Sequence, residues 1–287
     1  MKAAWLFLLR FLATRRGQLA LLLGLPLLVF ACLGPALVPQ NPYDLAALDI
    51  LDSRLPPGSP AATGHFTYWL GSDDQGRDMV SALAYGLGLS LAVAGSATLV
   101  GAVLGTLAGL WAGFRGGWVD GLLMRMVDLQ LSFPALLLAL VLLALTGPGL
   151  DKIVLALALS QWAYFARCAR GAALGESRKD YVDSARLLGL STPALIRRHL
   201  LPNCLPPLLV LLPQEFAGAI TLEATLSFLS LGTPPGQPTL GRLVANGFPY
   251  LFSGQTWISL PPGLVLTLTV VAVTLAADRL GELVAGD

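Results

Sequence analysis

Apolar residues run through this chain in long stretches, and polar residues gather in a few islands between them. Residues 17–38 give 22 positions without a charge, enough for a helix to cross a hydrocarbon core of about 30 Å. Residues 79–114 form a second uncharged window, with room for a tilted span and an interfacial lead-in. A third window covers 129–150. The fourth, 153–166, is short, but Trp162 and Tyr164 suit an interfacial end, and the helix can run on toward Arg170 by snorkelling. A fifth run, about 205–230, is apolar apart from Glu215 and Glu223. Within 243–277 the last part, about 262–277, reads as a sixth span. The pattern predicts an all-α integral membrane protein of about six transmembrane helices, forming one domain over residues 1–287.

Composition agrees. Only 12% of residues are charged and 55% are hydrophobic, against about 25% charged in ordinary globular chains. Such a chain in water would expose apolar surface it could not keep solvated. The basic residues give an orientation. With both termini in the cytoplasm, the outer pieces hold only Arg54, Arg77, Lys152 and Arg242 of the 18 Lys and Arg, as the excess of cytoplasmic positive charge requires. Arg10, Arg15 and Arg16 then pin the first span, which reads as retained rather than as a cleavable signal. The outer loop, about 39–78, is rich in Pro, Gly and Asp and reads as extended and turn-laden. In its Asp73, Asp74 and Asp78 cluster, Arg77 sits among the carboxylates, which predicts a salt-bridged turn and not a cation site. Three cysteines without CxxC spacing, and two histidines far apart, leave neither a disulfide framework nor a metal site. Gly101, Gly105, Gly109 and Gly113 recur every fourth residue and form a flat strip for a helix of this chain or of a partner.

The most informative polar island is the loop of about 171–203, between spans four and five. Its stretch 180–203 reads as two short helices joined at Gly189, which suits the left-handed position past a helix end. Thr192 is the expected N-cap, Pro193 the first helical residue, and Pro202 with Asn203 the stop. Tyr181, Val182, Ala185 and Leu188 share one face at helical spacing. A charged helix pair held between spans is shaped to be gripped by a soluble partner.

Asp183-Ser184-Ala185, Gly189 and His199-Leu200-Leu201-Pro202 resemble, in order and spacing, the coupling-loop signature of ABC-transporter permeases: Glu-Ala-Ala, three residues, Gly, nine residues, Ile-x-Leu-Pro. Asp replaces Glu, Ser replaces Ala and His replaces Ile. Leu70-Gly-Ser-Asp-Asp-Gln-Gly-Arg-Asp78, Gly113–Asp120, Leu131-Ser-Phe-Pro134 and Glu223–Gly232 are similar to blocks of the peptide/nickel permease subfamily, and the similarity is co-linear over most of the chain. It implies an inner-membrane permease subunit of a bacterial ABC importer, multi-pass, forming half of a path for di- or oligopeptides, with nickel or another small solute as the alternative cargo. It further implies a second, related permease chain in a heterodimer, two cytoplasmic ATPase subunits and an extracytoplasmic substrate-binding protein, with the lipid bilayer as solvent, and no nucleic acid or cofactor. The coupling residues it marks are Tyr181, Asp183, Ser184, Ala185, Gly189, Leu190, Arg198, Leu201 and Pro202.

No G-x-x-x-x-G-K-[ST], G-x-S-x-G or H-E-x-x-H run occurs, so neither a nucleotide site of that kind nor catalytic residues are expected. An ion-coupled secondary transporter is the rival reading, and it would need coupling groups at the bilayer midplane. Glu215 and Glu223 are the ionisable residues in an apolar run, where a charge is expensive and faces a cavity or a partner. Either can line the translocation path and meet a substrate amine. The position of Glu223 near the end of its span also suits a structural role.

Overall fold

Thr14 accepts the Gly17 amide at 3.3 Å and so caps the first long helix, α1 (Arg15–Leu37). The computed structural model describes residues 9–44, 48–62, 64–234 and 236–285, and among these not the side chains of Asp183, Arg186 and Ala285. Helix α2 (Met79–Arg115) starts at Asp78, whose carboxylate accepts from the Ser81 amide at 2.8 Å and the Ser81 hydroxyl at 2.6 Å. There follow α3 (Gly117–Leu131), α4 (Ala135–Thr146), α5 (Leu150–Glu176), α6 (Asp180–Leu187), α7 (Thr192–Leu195), α8 (Leu201–Phe228), α9 (Leu240–Gly247) and α10 (Leu260–Ala285).

Among the described residues, four helices are long and apolar enough to cross a membrane, and α3 with α4 adds a fifth if the bent pair counts as one span. The window 129–150 is therefore not one straight helix. The chain turns by 91° between α3 and α4, at Ser132-Phe133-Pro134, where proline disfavours a helical residue before it and supplies no N–H. Helix α5 reaches 27 residues, well past the short apolar window, but it is too polar to count as a span by composition. Its polar groups are met from α3. Arg170 pairs with Asp120, with one hydrogen bond at 2.6 Å, Arg167 pairs with Asp128, and Gln130 donates to the Leu159 carbonyl and accepts the Trp162 indole N–H.

The glycine strip of α2 lies against α5 of the same chain. A methyl group at Gly105 would stand 2.2 Å from the Trp162 carbonyl oxygen, and one at Gly109 would stand 2.2 Å from that of Ala166. Only glycine lets the two backbones approach so closely. Helix α10 returns antiparallel to α8, with Gly281 beside Val210. At the same end Arg279 bonds the Phe11 carbonyl at 3.3 Å and Arg16 pairs with Glu282 at 2.7 Å. Both ends of the described chain thus lie at the 171–203 end of the bundle.

The 39–78 connection is more ordered than its composition suggests. Ser59–Pro60 pairs antiparallel with Thr67–Tyr68. Beneath this hairpin, buried Asp52 accepts from the Tyr68 hydroxyl at 3.0 Å and the Ala62 amide at 3.0 Å, and buried Gln40 accepts the Asp78 amide at 2.6 Å. Asp73 and Arg77 are both buried, with 4.0 Å between carboxylate and guanidinium, so the expected ion pair is present but long. Burial pushes the Asp73 carboxyl up to about 6, against the Arg77 and Gln75 amides and the Arg77 charge, which pull it down. The folded loop then keeps a proton that an unfolded Asp has lost above about pH 4. Its stability is fullest below about pH 4 and falls as pH rises to about 6. Amide-exchange protection over residues 49–78, corrected for intrinsic rates, should fall across that window. Asp73→Asn should flatten the profile, and an unchanged profile would contradict the burial argument.

Candidate functional site

The elbow is built by its own local chemistry. Gly189 has φ +79°, the left-handed conformation expected of it. The Leu188 amide bonds the Ser184 carbonyl at 3.0 Å, and the Leu190 amide reaches back to the Ala185 carbonyl at 3.2 Å, so the chain reverses through a six-to-one closing bond. Leu190 then packs on the cluster beneath. Ser191 stands at the N-cap position of α7, one residue before the expected Thr192, and Pro193 lies in the first turn.

Pro202 and Asn203 do not stop the second piece. The chain passes from α7 through a single wide turn, Ile196–Leu200, straight into α8, giving 37 continuous helical residues from Thr192 to Phe228. The wide turn closes with the Leu201 amide on the Ile196 carbonyl, five residues back. It takes up the hydrogen-bond offset that a proline at 202 imposes. The elbow is therefore rigidly continuous with the α8 span.

A side-chain relay ties it to the other span. The Tyr181 hydroxyl donates to Glu176, the last residue of α5. Asn203 Nδ2 donates to that hydroxyl at 3.1 Å and to the His199 carbonyl at 2.8 Å. Lys179 closes on Glu176 at 2.7 Å. Sequence reasoning missed Glu176 and read Asn203 only as a helix stop. Their signal was position alone, since each is a polar group at a span's end beside the loop.

The apolar face read from the spacing is divided. Val182 (0% exposed) and Ala185 (6%) point inward and pack with Leu195, Leu200, Cys204 and Phe165. Tyr181 is half-buried. Leu188 is 80% exposed, and Leu187, which lay off the expected face, is 89% exposed. Ser184 and Arg198 are exposed, and the Ser184 hydroxyl folds back on the Asp180 carbonyl at 2.9 Å. Leu201 packs beside the cluster and Pro202 is exposed. The backbone of Asp183 lies in α6, and its side chain lies outside the described residues. The elbow thus presents two leucines and a cationic flank on a platform fastened to α5 and α8.

The two intramembrane carboxylates differ. Glu223 is fully buried and accepts from Ser90 of α2 at 2.9 Å and Ser227 at 2.7 Å. Ser90 also accepts the Leu240 amide at 3.2 Å, so this knot joins α2, α8 and α9. Glu215 is half-buried in α8. Among the described residues its carboxylate has no hydrogen-bond or ion-pair partner.

A bundle of apolar helices with a charged, clamped elbow between two of them defines a multi-pass transport subunit of the membrane. The chain belongs to the family described as the binding-protein-dependent transport system inner membrane component, whose model matches residues 105–286. It is a permease subunit of an ABC importer of the inner membrane. It is similar to the di/tripeptide transport system permease protein DppC of Pseudomonas aeruginosa, 36% identical over 94% of this chain and 88% of that protein. It is also similar to the dipeptide permease proteins DppC of Haemophilus influenzae, 33% identical over 95% of this chain and 90% of that one, and of Bacillus subtilis, 32% over 89% and 77%. A chain of the MetNI methionine ABC transporter, solved in inward-facing conformations, shares the fold with TM-score 0.57 at 20% identity, over 71% of this chain and 95% of that chain.

Proposed function

We propose that this chain forms one half of the translocation path of a peptide importer and that its elbow is the handle by which ATP-driven subunits move it. The observation that carries this reading is the relay from Glu176 through Tyr181 to Asn203, because a push on the elbow is passed to α5 and α8 together. On this reading six segments cross the bilayer: α1, α2, the bent α3–α4 pair, α5, α8 and α10. The elbow and both termini face the cytoplasm and the 39–78 connection faces outward, which the distribution of Lys and Arg supports. The partners are a second, related permease chain in a heterodimer, two cytoplasmic ATPase subunits and an extracytoplasmic binding protein. The sequence contains no P-loop run, so hydrolysis is assigned to the partners. Di- and oligopeptides are the cargo, supported by the names of the relatives.

Within the elbow, Leu187, Leu188, Ser184, Arg198 and, by resemblance, Asp183 form the docking surface. Tyr181, Ala185, Gly189, Leu190, Leu201 and Pro202 hold its shape. Glu223 is a structural tie and Glu215 lines the path. Reconstituting the chain with its partners in proteoliposomes tests the whole. Dipeptide uptake should require ATP and the binding protein together. Uptake by this chain alone, driven by an ion gradient without ATP, would overturn it.

A further inference from the structure

Three side chains without partners among the described residues, two of them buried, fall at one level between α2, α5 and α8. Gln161 of α5 is 4% exposed. Its amide nitrogen donates to the Glu215 backbone carbonyl at 2.7 Å, which brings the amide group to the Glu215 turn of α8. The amide oxygen on the same carbon is buried and, among the described residues, unpartnered. Thr98 of α2 is 2% exposed, and its hydroxyl oxygen is likewise buried without a partner among the described residues. Helices α2 and α8 run antiparallel, with Ala94 packed against Ala219 and Ile220. One turn further on, Thr98 therefore falls at the level of Glu215. The Glu215 carboxylate is itself unpartnered among the described residues.

The usual answers fail here. A buried serine or threonine in a helix returns its hydroxyl to the carbonyl four residues back, as Ser160 does at 2.8 Å, and Thr98 does not. A buried glutamine oxygen normally finds an N–H, and Gln130, one helix away, accepts from Trp162. A carboxylate in a bundle normally finds hydroxyls, as Glu223 finds Ser90 and Ser227. At this level a glutamine oxygen, a threonine hydroxyl and a carboxylate all lack a partner among the described residues. The chemistry that fits is a small cation carrying several N–H donors, and a primary ammonium carries three.

We propose that Glu215, Gln161 and Thr98 form an intramembrane subsite for a primary ammonium group of the cargo, so that the permease itself reads a charged amine in addition to the selection made by the binding protein. This rests on the peptide-importer reading. In a peptide the ammonium is the α-amino terminus or a lysine side chain. Passage from the outer entrance to the α8 midpoint brings it within reach of the Glu215 carboxylate. The amide oxygen of Gln161 and the hydroxyl of Thr98 are then left as its remaining acceptors.

The test is Glu215→Gln, which keeps size and removes the charge, in the complete importer reconstituted with partner permease, ATPase subunits and binding protein. Two probes are used: a lysine-free dipeptide with a free amino terminus, and a lysine-containing peptide acetylated at its terminus. Uptake of at least one probe should fall about tenfold or more, the worth of a charge-assisted hydrogen bond. The melting temperature of the complex and its ATP hydrolysis should hold. A loss confined to the first probe assigns the α-ammonium, and a loss confined to the second assigns the lysine side chain. Wild-type uptake of both probes in the variant would show that the carboxylate only fills space and would overturn the subsite. No peptide uptake by the wild-type complex would instead overturn the cargo reading, and the assigned ligand with it. Glu215→Asp, which keeps the charge on a shorter stem, should restore part of the lost uptake. A fall in uptake accompanied by loss of the assembled complex in both variants would mark Glu215 as structural and contradict the proposal.

Discussion

Gly105→Val will leave little folded protein, whereas Gly121→Val will melt within a few degrees of the wild type. The difference lies in what surrounds each position. At Gly105 an added Cβ would stand 2.2 Å from the Trp162 carbonyl oxygen and 2.7 Å from Phe165 Cβ, while at Gly121 none of the described residues lies within 4 Å. The obstacle at Gly105 is backbone, which cannot rotate away, so α2 and α5 must part along their contact. Overpacking a core costs about 1–3 kcal/mol and more where the neighbours cannot yield, against a total stability of about 5–15 kcal/mol. Four glycines share this contact, and separating the helices at one also loosens its neighbours. Alanine at this position should already lower the melting temperature in detergent. A wild-type melting curve for Gly105→Val would show that the two helices do not meet as described.

The second large effect falls on transport rather than on folding. Gly189→Val should cut ATP-dependent uptake about tenfold, while Gly189→Asn should keep most of it. Among the described residues no atom lies within 4 Å of a Cβ at this position, so neither variant clashes with them. The difference is conformational. At φ +79° an ordinary residue is strained by about 1–2 kcal/mol, a β-branched one is the worst case, and asparagine is tolerated. A valine in place of Gly189 would unwind the closing bond from Leu190 to Ala185 and let the platform under Leu187 and Leu188 slip. Binding-protein-stimulated ATP hydrolysis should persist while uptake falls, because the motor keeps running against a loosened handle. Equal uptake by both variants would show that the left-handed turn plays no part in coupling.

The parts of this molecule legible in its sequence were those that one residue type decides. The Gly189 turn was legible because a left-handed backbone selects glycine. The pairing of Arg77 with the acidic loop followed from a similarly local rule. The direction of the elbow's apolar face was not legible. Tyr181, Val182, Ala185 and Leu188 share a stripe, but whether a stripe faces its own bundle or a partner depends on the cluster of Leu195, Leu200 and Cys204 beneath it, which sequence spacing does not reveal. The third span was misjudged because a hydropathy window counts apolar residues through Ser132-Phe133-Pro134 and does not register the break. The full length of α5 was hidden by Gln161, Arg167 and Arg170. They depress its hydropathy, although two are paired with α3 and the third with α8. The 39–78 connection has the composition of a loop, and its order comes from buried side-chain hydrogen bonds between residues far apart in sequence.

Coupling requires that the elbow be where a nucleotide-driven subunit takes hold. Its Leu187–Leu188 tip is 80% or more exposed, and Leu188→Cys in a variant with Cys32, Cys168 and Cys204 replaced by alanine reads it directly. A membrane-impermeant maleimide applied to oriented vesicles should modify that cysteine from the cytoplasmic side alone, and the ATPase subunits, once bound, should shield it. Modification from the outer side, or modification indifferent to the ATPase subunits, would contradict the account.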